Sequence, residues 1–246
     1  MTEARSTAQA AAATPPLRVL VAGATGLVGR AVVQRLAAGA RYGHVTALLR
    51  QAAQAAGLPA GVRSTVIDFN TLGQAGQPGL PPTDWALCCL GTTIKVAGSQ
   101  EAFRAVDFDA VLAFARAAKV AGANRLGVVS ALGADARSAV FYNRVKGEME
   151  QALRALDLPQ LVIARPSLLL GERSALGQPP RLMETLAQAW MPAVGWLIPR
   201  SMRPISADAV AAALVAALAA DKPGVQVLES GALQDLADNS GAATPG

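Results

Sequence analysis

Leu17-Arg18-Val19-Leu20-Val21-Ala22-Gly23-Ala24-Thr25-Gly26-Leu27-Val28-Gly29-Arg30 is the stretch that decides the fold. An apolar, β-branched run leads into a turn whose glycines recur every third residue, and a helix-forming segment follows. Strand, glycine turn and helix in this order indicate a dinucleotide-binding unit, because the glycines allow a tight turn, a close approach of phosphate and close packing of the helix. The free N–H groups at the helix N-terminus suit the anion. The predicted cofactor contacts here are Gly23, Thr25, Gly26, Leu27, Val28 and Gly29, and the alternative is a structural turn in another α/β protein.

The composition describes a chain with a large apolar core. Of its 246 residues, 52% are hydrophobic and only 16% are charged, which excludes wholesale disorder. The net charge of +5 comes mostly from scattered arginines, without a basic run and without interleaved aromatic residues, so nucleic acid is not an expected partner. The longest apolar run, 209–220, is too short and too rich in alanine to span a membrane.

Cysteine and histidine are scarce in this chain. Cys88 and Cys89 are adjacent and would point to opposite faces of a strand, so we expect two small apolar residues and no disulfide. His44 is the one histidine, and no metal site is expected. Free cysteines favour a reducing compartment, and the expected location is cytoplasmic. Residues 1–16 are expected to form a disordered tail without a signal peptide.

Short apolar strands alternate with helical segments along the chain. This alternation predicts an α/β Rossmann fold, a doubly wound parallel sheet with a small C-terminal substrate-side lobe. We expect one NAD(P)-binding domain over 17–237, with 166–220 contributing the lobe, and a tail over 238–246. Predicted strands lie at 17–22, 44–50, 62–68, 85–90, 125–130, 161–164 and 225–228, and predicted helices at 26–38, 99–121, 138–156 and 208–220. Within 181–202, Trp190 and Trp196 are expected to pack in the lobe or a lid, and a dimer or membrane contact is the alternative.

The end of the second strand bears on the choice of cofactor. NAD-selective folds place an acid there for the adenosine ribose, whereas this strand ends in Leu49-Arg50. An arginine can bind the 2′-phosphate, which predicts NADP(H) in preference to NAD(H).

Two further strand ends supply candidate cofactor contacts. Asp68 and Phe69 follow the third strand, where the acid would meet the adenine or simply form a turn. After the fourth strand a glycine and two hydroxyls are expected to contact phosphate or ribose, although a plain glycine turn is the alternative. These residues are Leu90, Gly91, Thr92 and Thr93.

Tyr142 and Lys146 carry the strongest catalytic signal. Their i, i+4 spacing places both on one face of the predicted helix. An ammonium beside a phenol stabilises the phenolate, so that the phenol can donate and accept protons. Ser130 ends the fifth strand at the ligand edge, where its hydroxyl can bind the substrate oxygen. We therefore predict Ser130, Tyr142 and Lys146 as catalytic residues, and a chance Tyr-x-x-x-Lys pair is the alternative.

Together these motifs resemble the atypical short-chain dehydrogenase/reductases, which are related to epimerases and dehydratases, and more narrowly the Tat-interacting-protein oxidoreductase family. The resemblance spans roughly residues 17–230 and rests, beyond the glycine turn, on Cys88-Cys89-Leu90-Gly91-Thr92-Thr93, Ser130-Ala131-Leu132-Gly133-Ala134-Asp135, Tyr142-Asn143-Arg144-Val145-Lys146-Gly147-Glu148, Ala164-Arg165-Pro166-Ser167 and Arg203-Pro204-Ile205. It implies a Rossmann fold, NADP(H) binding, a Ser/Tyr/Lys active site and a place for Pro166 beside the nicotinamide. Family members commonly carry a second serine where this chain has Ala131, which leaves Ser130 as the candidate.

The expected function is hydride transfer between NADP(H) and a small carbonyl or alcohol substrate, performed by a monomer or homodimer. The alternative from another class is an NADP(H)-binding, redox-sensing regulator with little turnover, which would act through a protein partner. A nucleotide-sugar epimerase or dehydratase shares the core chemistry, but such enzymes usually carry a larger C-terminal domain than follows Arg165.

Overall fold

The central sheet has seven parallel strands. The computed structural model describes residues 15–74, 79–170 and 203–241. The strands are β1 (Arg18–Ala22), β2 (His44–Leu49), β3 (Arg63–Val66), β4 (Trp85–Cys88), β5 (Arg125–Val129), β6 (Gln160–Arg165) and β9 (Gly224–Glu229), and their order is β3-β2-β1-β4-β5-β6-β9. β7 (Leu169–Leu170) and β8 (Ile205–Ser206) form a separate short parallel pair. The predicted α/β Rossmann fold is confirmed.

The strand order reverses beside β1. The chain passes from β1 to β2 and β3 on one side, then returns to place β4, β5 and β6 on the other side. Val19 is therefore paired with Val45 of β2 on one edge and with Trp85 of β4 on the other. In open parallel sheets such a reversal opens a crevice at the carboxyl ends of the strands, where ligands bind.

Helices cover both faces of the sheet. They are α1 (Leu27–Ala38), α2 (Ile94–Ala97), α3 (Gln100–Arg104), a π-helical segment (Ala105–Ala110), α4 (Val111–Val120), α5 (Phe141–Arg154), α6 (Ala207–Ala219) and α7 (Ser230–Gly241), with a 3-10 helix at Ala52–Gly57. One apolar core joins α1 and α6 to the sheet, and the other joins α4 and α5 to its opposite face. On α5 the predicted apolar stripe is buried at Val145, Met149 and Leu153, and this stripe fixes which face of the helix turns towards the ligand edge.

Several predicted boundaries need correction. The helix predicted at 99–121 consists of α3, the π-helical segment and α4, and the helix predicted at 138–156 begins only at Phe141. The short helices at Ala52–Gly57 and Ile94–Ala97 were not predicted, because they are too short to show an apolar period.

The C-terminal part of the chain also differs from expectation. Residues 207–219 were predicted in the substrate-side lobe, but α6 packs against α1, β5 and β6 within the main core. Its alanine-rich surface is buried nearly all round, which is why its sequence shows little polar face. α7 continues to Gly241, four residues into the segment predicted as a tail. Residues 171–202 of the predicted lobe, with Trp190 and Trp196, and residues 1–14 of the tail predicted at 1–16 lie outside the described residues.

Cys88 is fully buried in β4, and Cys89 is half-buried at its end. Burial raises the pKa of the Cys88 thiol to about 12, and burial likewise raises the pKa of Cys89. Both are free thiols, as expected from their adjacency. Within the described ranges, no helix is both long enough and apolar enough to cross a membrane, and no group of side chains suits a metal ion.

Candidate cofactor and active site

The glycine turn after β1 is shaped by two close backbone approaches. Gly23 has a φ of +79°, and a Cβ there would lie 2.5 Å from the carbonyl carbon and oxygen of Cys89. A Cβ on Gly29 would lie 2.0 Å from the carbonyl oxygen of Gly23. Since real atoms cannot approach so closely, the turn requires glycine at both positions. The same turn therefore holds α1 against the sheet and brings β1 close to the end of β4.

The N-terminus of α1 is open to an anion. Gly26 occupies the N-cap position, so no side chain caps the helix, and no acidic residue lies in its first turn. The N–H groups of the first turn therefore have neither a capping side chain nor a carboxylate beside them. Gly26, Leu27 and Val28 line the cavity at this helix end. This arrangement suits the pyrophosphate of a dinucleotide, whose charge complements the positive end of the helix dipole.

A cavity of about 530 Å³ extends from the glycine turn towards the ends of β2 and β3. Arg50 after β2 and Phe69 after β3 line it, as does Arg30 on α1. Gln54 of the 3-10 helix accepts hydrogen bonds from the backbone N–H groups of Arg50 and Gln51, at 3.1 and 3.2 Å, which fixes the turn that carries the arginine.

The charged side chains in the described lining of this cavity are both cationic. They are Arg30 and Arg50, and both are exposed. Asp68 does not belong to the described lining. Its Oδ1 accepts hydrogen bonds from the backbone and side-chain amides of Asn70, at 2.9 and 3.0 Å. Asp68 thus forms a turn with Asn70, and its contact with the adenine stays a prediction.

A second cavity of about 250 Å³ adjoins the first on the β4 and β5 side. Both cavities are lined by Gly26 and by residues at the end of β4, so a single elongated ligand can occupy both. The described lining of the second cavity brings together most of the predicted site. These residues are Gly26, Leu27, Val28, Leu90, Gly91, Thr92, Thr93, Ser130, Tyr142, Lys146 and Pro166.

Tyr142 and Lys146 reach this cavity from α5. The ring of Tyr142 packs beside Phe103 of α3, with the ring centroids 5.3 Å apart. Lys146 is buried, and its Nζ lies 3.5 Å from the carbonyl oxygen of Val129 at the end of β5. The i, i+4 spacing thus sends one side chain to the cavity wall and the other deeper, between α5 and the strand ends.

Asp107 lies at the centre of this region, although the sequence did not single it out. Its carboxylate is fully buried, with Oδ1 2.8 Å from Nζ of Lys146. Its Oδ2 accepts a hydrogen bond of 2.8 Å from the backbone N–H of Thr92. Burial, the largest single effect, would lower the pKa of Lys146, but Asp107, with smaller contributions from Tyr142 and Cys88, raises it, and the net result is a raised pKa. One carboxylate therefore joins the lysine to the turn after β4.

Ser130 stands at the end of β5 as expected, but its hydroxyl is bound elsewhere. Its Oγ donates a 2.6 Å hydrogen bond to Oε1 of Glu150, and the serine is 5% exposed. Glu150 in turn accepts two hydrogen bonds from Arg165 of β6, at 2.9 and 2.7 Å. A hydroxyl has one proton, so in this arrangement Ser130 can accept a hydrogen bond from a ligand but cannot donate one.

Sequence reasoning missed Asp107 and Glu150 for different reasons. Asp107 lies on a helix remote in sequence from Tyr142, and only the fold brings it to Lys146. Glu150 offered a signal, because it is a carboxylate within the apolar face of α5, one turn after Lys146. A charged residue at a core position is buried only with a partner, which here is Arg165.

Comparison with known proteins defines the class. A family model described as NAD(P)H-binding matches residues 23–221. A solved oxidoreductase of the short-chain dehydrogenase/reductase family from Burkholderia thailandensis superposes with a TM-score of 0.64 and 20% identity, covering 94% of this chain and 99% of the other. The chain belongs to the NAD(P)H-binding family, and it shares the fold of this solved oxidoreductase.

Two curated relatives narrow the resemblance. Protein FMP52, mitochondrial, of Eremothecium gossypii is 35% identical over 158 residues, which cover 64% of this chain and 68% of the relative. Protein HTATIP2 of Rattus norvegicus is 38% identical over 112 residues, 46% of each chain. The resemblance inferred from the motifs is thus confirmed.

The expected cytoplasmic location was wrong. Protein FMP52 of E. gossypii and further fungal relatives are named as mitochondrial proteins. The expectation rested on two unpaired cysteines, which show only that the fold needs no disulfide there and do not select a compartment.

Proposed function

We propose that this protein is an NADP(H)-dependent oxidoreductase that transfers hydride to or from a small carbonyl or alcohol substrate. The observation that carries the proposal is that Tyr142 and Lys146 line a cavity continuous with the glycine turn and the uncapped end of α1. A proton donor thus stands at the same ligand edge as an anion cradle, which is the arrangement that hydride transfer to a carbonyl requires.

The residues fit the cofactor part by part. The turn at Gly23, Gly26 and Gly29 would hold the pyrophosphate, because side chains at the first and last positions would fill the space that the backbone needs. Arg50 would bind the 2′-phosphate, which favours NADP(H), since no carboxylate in the described lining competes for a ribose hydroxyl there. Pro166 would lie beside the nicotinamide.

The chemical step assigns separate tasks to the residues. When bound, the cofactor supplies or accepts the hydride. Tyr142 donates its phenolic proton to the carbonyl oxygen during reduction and takes it back in the reverse direction. Lys146 holds a positive charge beside the phenol and binds ribose hydroxyls. In its observed orientation Ser130 would accept a hydrogen bond from the ligand. To polarise the carbonyl it would have to donate its proton there, and so break its hydrogen bond to Glu150.

The test is a panel of aldehydes and ketones followed by NADPH absorbance. The chain has two tyrosines, and the second provides a matched control. Tyr142→Phe should lower turnover by about 10²-fold or more while NADPH binding stays nearly intact. Tyr42→Phe should retain turnover, since Tyr42 packs on Trp85, 5.6 Å between ring centroids, and lines neither cavity. Full activity of Tyr142→Phe would contradict the assignment.

A second candidate function is an NADP(H)-binding regulator with little turnover. The observation that favours it is the commitment of the Ser130 proton to Glu150, which leaves the substrate oxygen without that donor. NADPH binding without turnover across the panel, together with cofactor-dependent binding of a protein partner, would support the regulator. Turnover that depends on Tyr142 would decide for the enzyme.

A further inference from the structure

Among the residues that the structure describes, Asp107 and Lys146 form the most deeply buried pair of opposite charges at the ligand edge. The two side chains are 1% and 4% exposed, and the charged atoms lie 2.8 Å apart. Removing two charges from water is costly, and it is repaid only when geometry is good and the remaining polar atoms are bonded. The second carboxylate oxygen meets this condition through the N–H of Thr92, at 2.8 Å.

The local backbone is adapted to place this carboxylate. Asp107 lies in the π-helical segment Ala105–Ala110, which interrupts the helix between α3 and α4. Such segments are rare, and they occur frequently at functional sites because the wider turn redirects a side chain. The turn after β4 lies beside the same carboxylate, since a Cβ on Gly91 would be in ordinary van der Waals contact with Oδ1 of Asp107, at 3.5 Å.

The groups that face Lys146 come from four elements. The π-helical segment contributes Asp107, α5 contributes Tyr142, and β4 contributes Cys88, whose thiol is protonated at neutral pH because burial raises its pKa to about 12. β5 contributes only the carbonyl oxygen of Val129, at 3.5 Å. Asp107 is therefore the counter-charge of the ammonium, with Oδ1 2.8 Å from Nζ, and the pKa of Lys146 is raised although burial opposes its charge.

We propose that Asp107 is a positioning residue of the active site, which keeps the buried Lys146 ammonium charged and ties it to the cofactor-binding turn after β4. The inference rests on the proposed function, in which Lys146 acts on Tyr142 and on the ribose. Without the Asp107 carboxylate, its raising effect on the pKa of Lys146 is lost, and burial lowers that pKa. The charge of Lys146 is then lost as pH rises through the lowered pKa, in a range where the native protein still holds it.

The direct test measures the charge of Lys146 without any substrate. Lysines of the full chain are labelled at Cε with ¹³C and titrated by NMR, and Lys146→Arg identifies the signal among those of Lys95, Lys119 and Lys222. In Asp107→Asn the proton-binding constant of Lys146 should fall at least tenfold. Repeating the comparison with Tyr142→Phe present removes the phenol as a titrating neighbour and should give the same result.

Glu150→Gln is the matched control, because it also removes a buried carboxylate at this edge but one that pairs with Arg165. It should leave the titration of Lys146 within twofold. An unchanged titration of Lys146 in Asp107→Asn, or an equal change in Glu150→Gln, would overturn the proposal. If Asp107→Asn does not fold, the double variant with Lys146→Met removes both charges. Folding of that double variant supports the proposal, and its failure to fold overturns it.

Measurements of turnover distinguish a failure of the Asp107 proposal from a failure of the proposed oxidoreductase function. As pH rises, the activity of Asp107→Asn should fall at a lower pH than the activity of the native protein does. In the Lys146→Arg background, Asp107→Asn should leave activity unchanged, because arginine stays charged when buried. A uniform loss of activity at every pH would mean a merely structural role and would overturn the proposal. A native protein without turnover, whose Lys146 titration still depends on Asp107, would support the charge-keeping role and overturn the oxidoreductase.

Discussion

The two sides of the ligand edge hold their charges in opposite ways. On the β2 side, Arg30 and Arg50 are exposed around an open cavity of about 530 Å³. On the β4 to β6 side, the carboxylates of Asp107 and Glu150 are almost fully buried, and each is matched by a cation. The first side can attract an anion from solvent, whereas the second holds fixed charges around a smaller cavity.

This difference predicts how each side responds to substitution. Exposed charges are screened by water and salt, so each contributes little to stability and a moderate amount to ligand choice. Buried pairs are little screened, and the loss of one partner leaves an uncompensated charge in the protein interior. Substitutions on the β4 to β6 side should therefore change folding and pH dependence, and those on the β2 side should change cofactor affinity.

Glu150→Gln should have the largest effect on stability. It leaves Arg165 without its carboxylate and Ser130 without its ionised acceptor, and breaking a buried pair typically costs about 3–5 kcal/mol. Denaturant unfolding of the two proteins measures the difference. Glu148→Gln, on the same helix, removes a partly exposed carboxylate paired with Arg104 and should cost less than about 1 kcal/mol. Equal losses in the two variants would remove the distinction between buried and exposed charge.

The sequence predicted the parts of the site that depend on local geometry. The glycine turn, Arg50 at the end of β2, and the i, i+4 pair Tyr142 and Lys146 are local patterns, whose positions follow from strand ends and helical spacing. The parallel sheet with helices on both faces followed from the alternation of strands and helices. These features need no knowledge of which distant segments meet.

The missed features depend on contacts between distant segments. Asp107 contacts Lys146, which lies 39 positions later in the sequence. No periodicity of the sequence predicts the π-helical segment that orients the Asp107 side chain. The hydroxyl of Ser130 was correctly placed at a strand end, but its direction depends on Glu150, 20 positions later. The placement of α6 in the core was missed because its apolar surface has no polar face that would identify its packing side.

Gly29→Ala should weaken NADPH binding about thirtyfold or more, about 2 kcal/mol. The added Cβ would lie 2.0 Å from the carbonyl oxygen of Gly23, so α1 must move away from the turn that holds the phosphate. Fluorescence titration with NADPH measures the loss. Gly79→Ala is the control, since no described atom lies within 4 Å of its added Cβ. Unchanged affinity in Gly29→Ala would show that the phosphate is held elsewhere, and the β2 side would lose its assigned role.

Arg50→Gln should have the smallest effect, and one confined to the choice of cofactor. It should weaken NADPH binding about tenfold, about 1.4 kcal/mol, and leave NADH binding unchanged, because only NADPH carries the 2′-phosphate. The difference should shrink as salt is added, since Arg50 is exposed. Arg63→Gln removes the same charge from exposed β3 outside this cavity and should change neither affinity. Equal losses for NADPH and NADH would show that Arg50 contacts the part that the two cofactors share, and NADP preference would then need another source.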